Sequence, residues 1–493
     1  MKFVQNIGKI VAVLFVMTAF VSCITEESIS NKKKEQVSLE AWIRINRPEL
    51  LDNYQEEGGY YVEILRGDVN ENIAADGVND FGSEPLMEQD TCWVYTNMIG
   101  RDINGRICTT RNESLADMCG TFSYFTHYVP YINYCGSVNF GLLEGTYLSM
   151  RSELKVGDGT YKMRRGSKVR LYLPSTIAYG EGGSNAEGGY EGQYELDASR
   201  PLVLDMEVLK AIKNPSDMEM DMVKRFVGYD GKWIQAMKPE SDKEDEKDDL
   251  QLKGLYYLVG YNPESDDIQE KYIQPHLEGV NNRYIDTKKY ADMEALNDSI
   301  NKILLKRFNK GLSKEECNDN NKVTREGRAR VWYVLRFLDG FVVDTNIAEI
   351  RTLVYNEMSP TCEAFSYSPS DDEGKAANER SAIGAWFYSI PEMHYGAYGQ
   401  IVTTSGYAYG AAGLTGTTTT TESSSSTTSY YNAMNFYNYY NSYYNYYNPY
   451  YNYYDYNYYN YNYDSEDTVT TTTISTEILP YTPLIFTLYV EPN

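Results

Sequence analysis

Two distant stretches of this chain end in the same Ala-Tyr-Gly turn, and that echo constrains the fold more than any other feature. Residues 168–176 run into Ile177-Ala178-Tyr179-Gly180, and residues 400–406 run into Tyr407-Ala408-Tyr409-Gly410. After a spacer, each is followed by a second apolar stretch, residues 201–209 and 483–490. Each is also preceded by a matching strand-like segment, residues 59–65 and 254–260. Strand, turn, flap and closing strand used twice imply two copies of one domain. A length of 493 residues suits two or three domains.

The formal net charge of −25 argues against a nucleic-acid partner, because phosphate binding needs a basic surface. The N-terminus points to a membrane link of another kind. Lys2 and Lys9 form a basic leader, residues 10–21 a short apolar run, and Val21-Ser22-Cys23 closes it. A run this short falls below the roughly 20 residues a spanning helix needs. The segment resembles a bacterial lipobox, with residues 1–22 as the signal peptide and Cys23 as the acylated residue. Thr25-Glu26-Glu27 resembles the export tags of Bacteroidetes surface lipoproteins. The expected localisation is the cell envelope, lipid-anchored at the outer membrane, facing the periplasm or the cell surface.

Six further cysteines, Cys92, Cys108, Cys119, Cys135, Cys317 and Cys362, leave the disulfide pairing open. No Cys-x-x-Cys occurs and the three histidines are scattered, so no zinc site is expected.

Along the chain, residues 23–56 read as a polar tether that includes a short helix over 41–56, and 57–213 as the first domain. Residues 214–251 read as linker and irregular extension, with a charged run at 241–249. Residues 252–493 form the second domain. Inside it, 288–309 has helical spacing of Tyr290, Met293, Leu296, Ile300, Leu304 and Phe308. Residues 415–476 are a low-complexity insertion: Thr and Ser runs around a Tyr/Asn tract, lying in the flap between Tyr409 and Phe486.

The residues that carry chemistry lie in the second copy. Residues 331–346 read as strand, turn and strand, bearing Tyr333, Val343 and Asp344. Residues 383–393 carry Ile383, Trp386 and Met393, and 478–481 read Ile-Leu-Pro-Tyr. Together with Tyr409 and Phe486, this order and spacing resemble the FKBP-type peptidyl-prolyl cis-trans isomerases. The resemblance implies an α+β fold of two FKBP-like domains, each a twisted antiparallel sheet wrapped around a short helix. It implies a folding helper of the envelope that acts on proline-containing polypeptides and needs no cofactor and no metal.

The chemistry would be rotation about an X-Pro amide, whose barrier is about 18–20 kcal/mol. An apolar pocket and a few hydrogen bonds that favour the twisted amide suffice. The resemblance casts Tyr333, Asp344, Ile383, Trp386, Tyr409 and Phe486 as the catalytic set. Trp386 would be the floor, and the Ile383 N–H and Tyr409 hydroxyl would hold substrate carbonyls. Val343, Ile478 and Tyr481 would bind substrate.

In the first copy, Tyr95 and Tyr179 match the family's tyrosines. Ile107-Cys108 stands for its Phe-Asp pair, Val156 for its Trp and Leu204 for its last Phe. The expectation there is a degenerate domain with structural or binding duty. The competing reading for the whole chain is a non-catalytic envelope module that uses the same scaffold to bind protein, motivated by the Tyr-rich flap.

Overall fold

The computed structural model describes residues 31–67, 79–136, 142–185, 196–228, 232–238, 250–263, 293–357, 360–416, 418–423 and 469–493. Cys23 with the signal segment, the charged run at 241–249 and the Tyr/Asn tract at 424–468 lie outside the described residues.

The first half contributes β1 (Tyr54–Gln55), β2 (Tyr60–Arg66), β3 (Trp93–Arg101), β4 (Ile107–Thr110), β5 (Tyr131–Tyr134), β6 (Leu154–Val156), β7 (Gly159–Tyr161), β8 (Lys168–Leu173) and β9 (Leu202–Ile212). The second contributes β10 (Ile234–Met237), β11 (Gln251–Val259), β12 (Ala329–Phe337), β13 (Val342–Thr345), β14 (Phe365–Tyr367), β15 (Tyr398–Thr403), β16 (Thr418–Ser423), β17 (Val469–Ile474) and β18 (Leu484–Val490). One seven-stranded sheet runs β1-β2-β8-β9-β3-β4, with β5 also on β3. The other runs β10-β11-β15-β18-β12-β13, with β14 also on β12. Every strand of one sheet has a counterpart in the other, and all the pairings are antiparallel. The α+β class and the twofold use of one domain plan, expected from the sequence, are the ones found.

Each sheet curls its apolar face over a short helix. In the first half Val169, Leu171, Leu204 and Met206 pack with Leu148 and Met150 of the helix Glu144–Arg151. In the second, Val331, Leu335, Ile401 and Phe486 pack with Trp386 and Ile390, around the helix Gly384–Ser389. The back of the second sheet is covered too. Leu296, Ile300, Leu304 and Phe308 of the helix Met293–Phe308 meet Trp332, Val334 and Tyr489. Burial on both faces explains why β18 is buried throughout, with apolar residues at consecutive positions instead of a strict alternation.

The helix ahead of each sheet belongs to the repeat. Residues 31–46 form a helix where the sequence suggested a tether with a short helix only over 41–56, and Pro215–Val227 form one where an irregular extension was expected. Leu39 and Ile43 pack on Tyr61, Tyr172 and Val203, while Met222, Val223 and Val227 pack on Val402 and Ile485, the matching sheet positions. One turn earlier each helix carries a buried glutamate. Both oxygens of Glu35 accept from the N–H and hydroxyl of Ser175, and both oxygens of Glu219 accept from those of Ser405. These serines open the 3-10 turns Ser175–Ile177 and Ser405–Tyr407, which lead into the two Ala-Tyr-Gly sequences. The backbone after them repeats closely. Ala178 has φ −121°, ψ −114° and Ala408 φ −130°, ψ −107°. Gly180 and Gly410 follow at φ +63° and +65°, a region that favours glycine. Because β10 pairs with β11, the second repeat begins at the helix Pro215–Val227, inside the segment read from sequence as linker.

The Thr runs flanking the Tyr/Asn tract are not featureless. β16 and β17 pair from Thr418↔Ile474 to Ser423↔Val469, a two-stranded stalk favoured by β-branched threonines. Its base is closed by the bridge between Leu414 and Ile478.

Two predictions follow from these contacts. Burial pushes the Glu219 carboxyl up to about 7, against the opposing pull of its Ser405 hydrogen bonds. The folded state therefore holds this proton more tightly than the unfolded chain does. The associated stability is fully present below about pH 4.5, is lost as pH rises through about 7, and amounts to up to about 3 kcal/mol. Glu219→Gln should flatten the decline in urea-unfolding stability between pH 5 and pH 8.

The second concerns thiols. Cys92 and Cys135 flank the pair Trp93↔Tyr134, both side chains are fully buried, and the Cys135 N–H donates to the Cys92 carbonyl at 3.0 Å. Directly opposed antiparallel residues have the Cα separation a disulfide requires. Incubation with glutathione disulfide should give a 92–135 cross-link in peptide mass spectra. Exclusive pairing of other cysteines would contradict this.

Candidate functional site

The site is assembled on the concave face of the second sheet. The ladder Ile401↔Phe486↔Leu335↔Asp344 crosses four strands and fixes Phe486 in the middle and Asp344 at the rim. Two residues before Leu335, Tyr333 reaches the same face. Its hydroxyl donates to Asp344 Oδ2 at 2.6 Å. Asp344 Oδ1 accepts from the Thr345 N–H at 2.8 Å and from Arg351 Nη1 at 3.2 Å. Arg351 is itself gripped by both oxygens of Glu357, at 2.6 and 2.7 Å. Burial, then the Asp344 charge, holds the Tyr333 phenol well above its usual range, so it stays a donor. The Asn346 side chain accepts from the Tyr333 N–H at 2.8 Å and donates to the Val331 carbonyl at 3.0 Å, fixing the strand beneath the phenol.

Trp386 lies at the centre. Tyr333, Phe365 and Phe486 meet its indole edge-to-face, at centroid distances of 5.4, 5.2 and 5.7 Å. Such T-shaped contacts each add about 0.5–1.5 kcal/mol beyond area burial. Val343 and Ile478 belong to the same buried cluster, with Ile383 and Tyr409 partly buried against it. Tyr409 lies close enough to disfavour ionisation of the Tyr333 phenol. The Trp386 Nε1–H has no acceptor among the described residues, a cost of about 1–3 kcal/mol. Ile383 caps the helix with its carbonyl, accepting from Trp386 and Phe387, while its own N–H donates to no described residue. The wall therefore offers an unused donor beside an aromatic floor.

The loop that presents Ile383 is held by a group the sequence reading passed over. Asp372, fully buried, accepts from the Ser381 N–H at 2.6 Å, the Ser381 hydroxyl at 2.8 Å and the Ala382 N–H at 3.2 Å. Arg351, Phe365 and Asn346 were missed as well. Arg351 was visible as a cation on the helix just after Asp344, whereas Phe365 comes from a separate strand that no local spacing signals. Tyr481 lies elsewhere. It sits at φ +52° and packs edge-to-face on Trp93 of the first half at 4.8 Å, away from the aromatic group round Trp386.

The same ladder in the first half reads Leu171↔Leu204↔Gly100↔Thr109. Thr109 therefore stands where Asp344 does, Cys108 where Val343 does and Met98 where Tyr333 does. This corrects the sequence reading by one residue at Ile107-Cys108, and it removes Tyr95, whose ring faces the interface with Met218 and Tyr481. Val156 is also corrected. It lies in the β6-β7 hairpin, and the capping carbonyl of Leu143 accepts from Thr146 and Tyr147 just as Ile383 does from Trp386 and Phe387. Thr146 thus occupies the Trp386 position. Met393 follows Trp386 by seven positions but Met163 follows Thr146 by 17, the hairpin filling the difference. Of the polar and aromatic set, the first half retains only Tyr179.

No protein-family model matches the chain, and no curated protein does. Among solved structures, that of the three FKBP domains of a wheat protein matches at 11% identity over 89% of this chain and 95% of that one, with a TM-score of 0.20. FkpA from Escherichia coli matches at 16% identity over 41% and 72%, with a TM-score of 0.22. A peptidyl-prolyl cis-trans isomerase from Pseudomonas syringae pv. tomato matches at 17% identity over 37% and 94%, with a TM-score of 0.21. Likenesses at these scores carry no argument about activity. The functional reading rests on the site's own geometry.

The supporting loop gives a direct test. Asp372→Asn places an amide against backbone donors and should cost about 2–3 kcal/mol in urea unfolding. A change below about 0.5 kcal/mol would remove Asp372 from the account of how Ile383 is held.

Proposed function

We propose that the second half is a peptidyl-prolyl cis-trans isomerase of the FKBP type and that the first half is a non-catalytic copy. The observation that carries this reading is the aromatic floor of Trp386, ringed by Tyr333, Phe365 and Phe486, next to the Ile383 N–H, which has no acceptor among the described residues. An apolar floor favours the twisted amide, whose charge separation is smaller than that of the planar form. On this reading the Ile383 N–H and the Tyr409 hydroxyl donate to substrate carbonyls. Tyr333 and Asp344 hold each other and keep the rim polar. No nucleophile or cofactor enters the reaction. Catalysis is tighter binding of the twisted amide than of either planar isomer.

The substrates on this reading are proline-containing polypeptides. Residues 1–23 support placement in a bacterial envelope through a lipid on Cys23, and the outer membrane is the proposed site. The loss of Tyr333, Asp344 and Trp386 equivalents in the first half favours a binding duty there, so the non-catalytic module reading is retained for that half.

The full chain should accelerate cis-to-trans conversion of a short X-Pro peptide. Trp386→Ala should remove at least about 90% of the acceleration, a loss of about 1.4 kcal/mol or more in transition-state stabilisation. Full activity in that variant would sink the site assignment.

A further inference from the structure

A segment of the first half lies across the candidate site of the second. Between the helix Glu113–Met118 and β5, residues 121–130 run as an irregular strap, turned at Ser123–Thr126 and at His127–Val129, with Phe125, His127, Val129 and Pro130 buried. Phe125 stacks on Tyr355 at 4.4 Å. His127 Nε2 lies 2.8 Å from Asp339 Oδ2, and its ring packs on Phe337 and Phe341 at 4.5 and 4.7 Å. Val129 joins the buried cluster of Trp386, Val343, Phe486 and Ile478. These buried side chains turn one side of the strap to the other half of the molecule.

The strap is clamped at its far end as well. Arg111 donates to the His127 carbonyl at 3.0 Å, stacks over the Tyr131 ring at 4.1 Å and pairs with Glu477, just after the return strand β17. The contacts thus span from Tyr355 and the β12–β13 turn on one side to Glu477 on the other. Between them lie Val129 and Pro130, both buried. An X-Pro dipeptide is the chemistry the site would take on the reading of the previous section, on which this inference rests.

We propose that the strap is an intramolecular occupant of the second half's site: it seats Val129-Pro130 there and competes with external X-Pro segments. The first half, without a site of its own, regulates access to the other.

The test uses the full chain and two ways of releasing the strap. Phe125→Ala/His127→Ala removes two inward side chains, and Asp339→Asn weakens the His127 contact from the opposite side. Two readouts are taken: kcat/KM on a short X-Pro peptide, and binding of a synthetic peptide of residues 124–132. Released variants should gain about ten-fold in kcat/KM and bind the strap peptide, which the parent chain should not bind. Strap-peptide binding with no catalysis in any form would leave the occupant in place and overturn the isomerase reading instead. A measurable parent activity that neither release changes, or a strap peptide that fails to bind folded released variants, would overturn the proposal.

Discussion

A buried carboxylate on the helix preceding each sheet holds the turn from which each flap departs. Glu35 and Glu219 both close on the serine that opens an Ala-Tyr-Gly turn, through its N–H and its hydroxyl. An unpaired carboxylate at such depth is costly, and the two hydrogen bonds make the position tolerable only with the turn in place. The clasp therefore couples three things that sequence alone keeps apart: the leading helix, the central strand β8 or β15, and the placement of Tyr179 or Tyr409. It also sets the true length of the repeat, which begins at the helix and not at the first long strand.

With the frame held this way in both halves, the sites above it have diverged. Positions that bury against the sheet keep their apolar character, so Leu171, Leu204 and Met206 preserve the fold. Positions that would face a substrate have changed type: Thr109 for Asp344, Met98 for Tyr333, Thr146 for Trp386. Fold and site thus separate along the same strands. The first half has instead extended the stretch between β4 and β5 into a strap whose buried face completes the core of its neighbour. The two halves share the Arg111–Glu477 ion pair, the His127–Asp339 hydrogen bond and aromatic stacking, which makes them one structural unit at this seam.

Much of this was legible in the residues. The second site could be read because Tyr333, Asp344, Ile383, Trp386 and Phe486 sit on elements whose order and spacing are local. The strands were legible from apolar runs, and the helix over 293–308 from its period. The leading helices were not: their apolar faces are short, and the glutamate at the head of each looks like a solvent residue until its serine partner is known. The misplacement of Tyr95 and Val156 has a similar cause. A bulge in β3 between Tyr95 and Thr96 and the inserted β6-β7 hairpin both change the count of residues without leaving a mark in composition. Tyr481 was read from its place beside Ile478, but its positive φ turns the side chain toward Trp93.

The central claim is that one plan is used twice and only the second copy performs the chemistry. The two flap tyrosines, the one site feature the copies share, allow this to be measured in a single experiment. Exchange NMR on an X-Pro peptide with the full chain should show slower cis-trans interconversion for Tyr409→Phe than for the parent, with Tyr179→Phe unchanged. Equal losses in both variants, or a loss confined to Tyr179→Phe, would contradict the account.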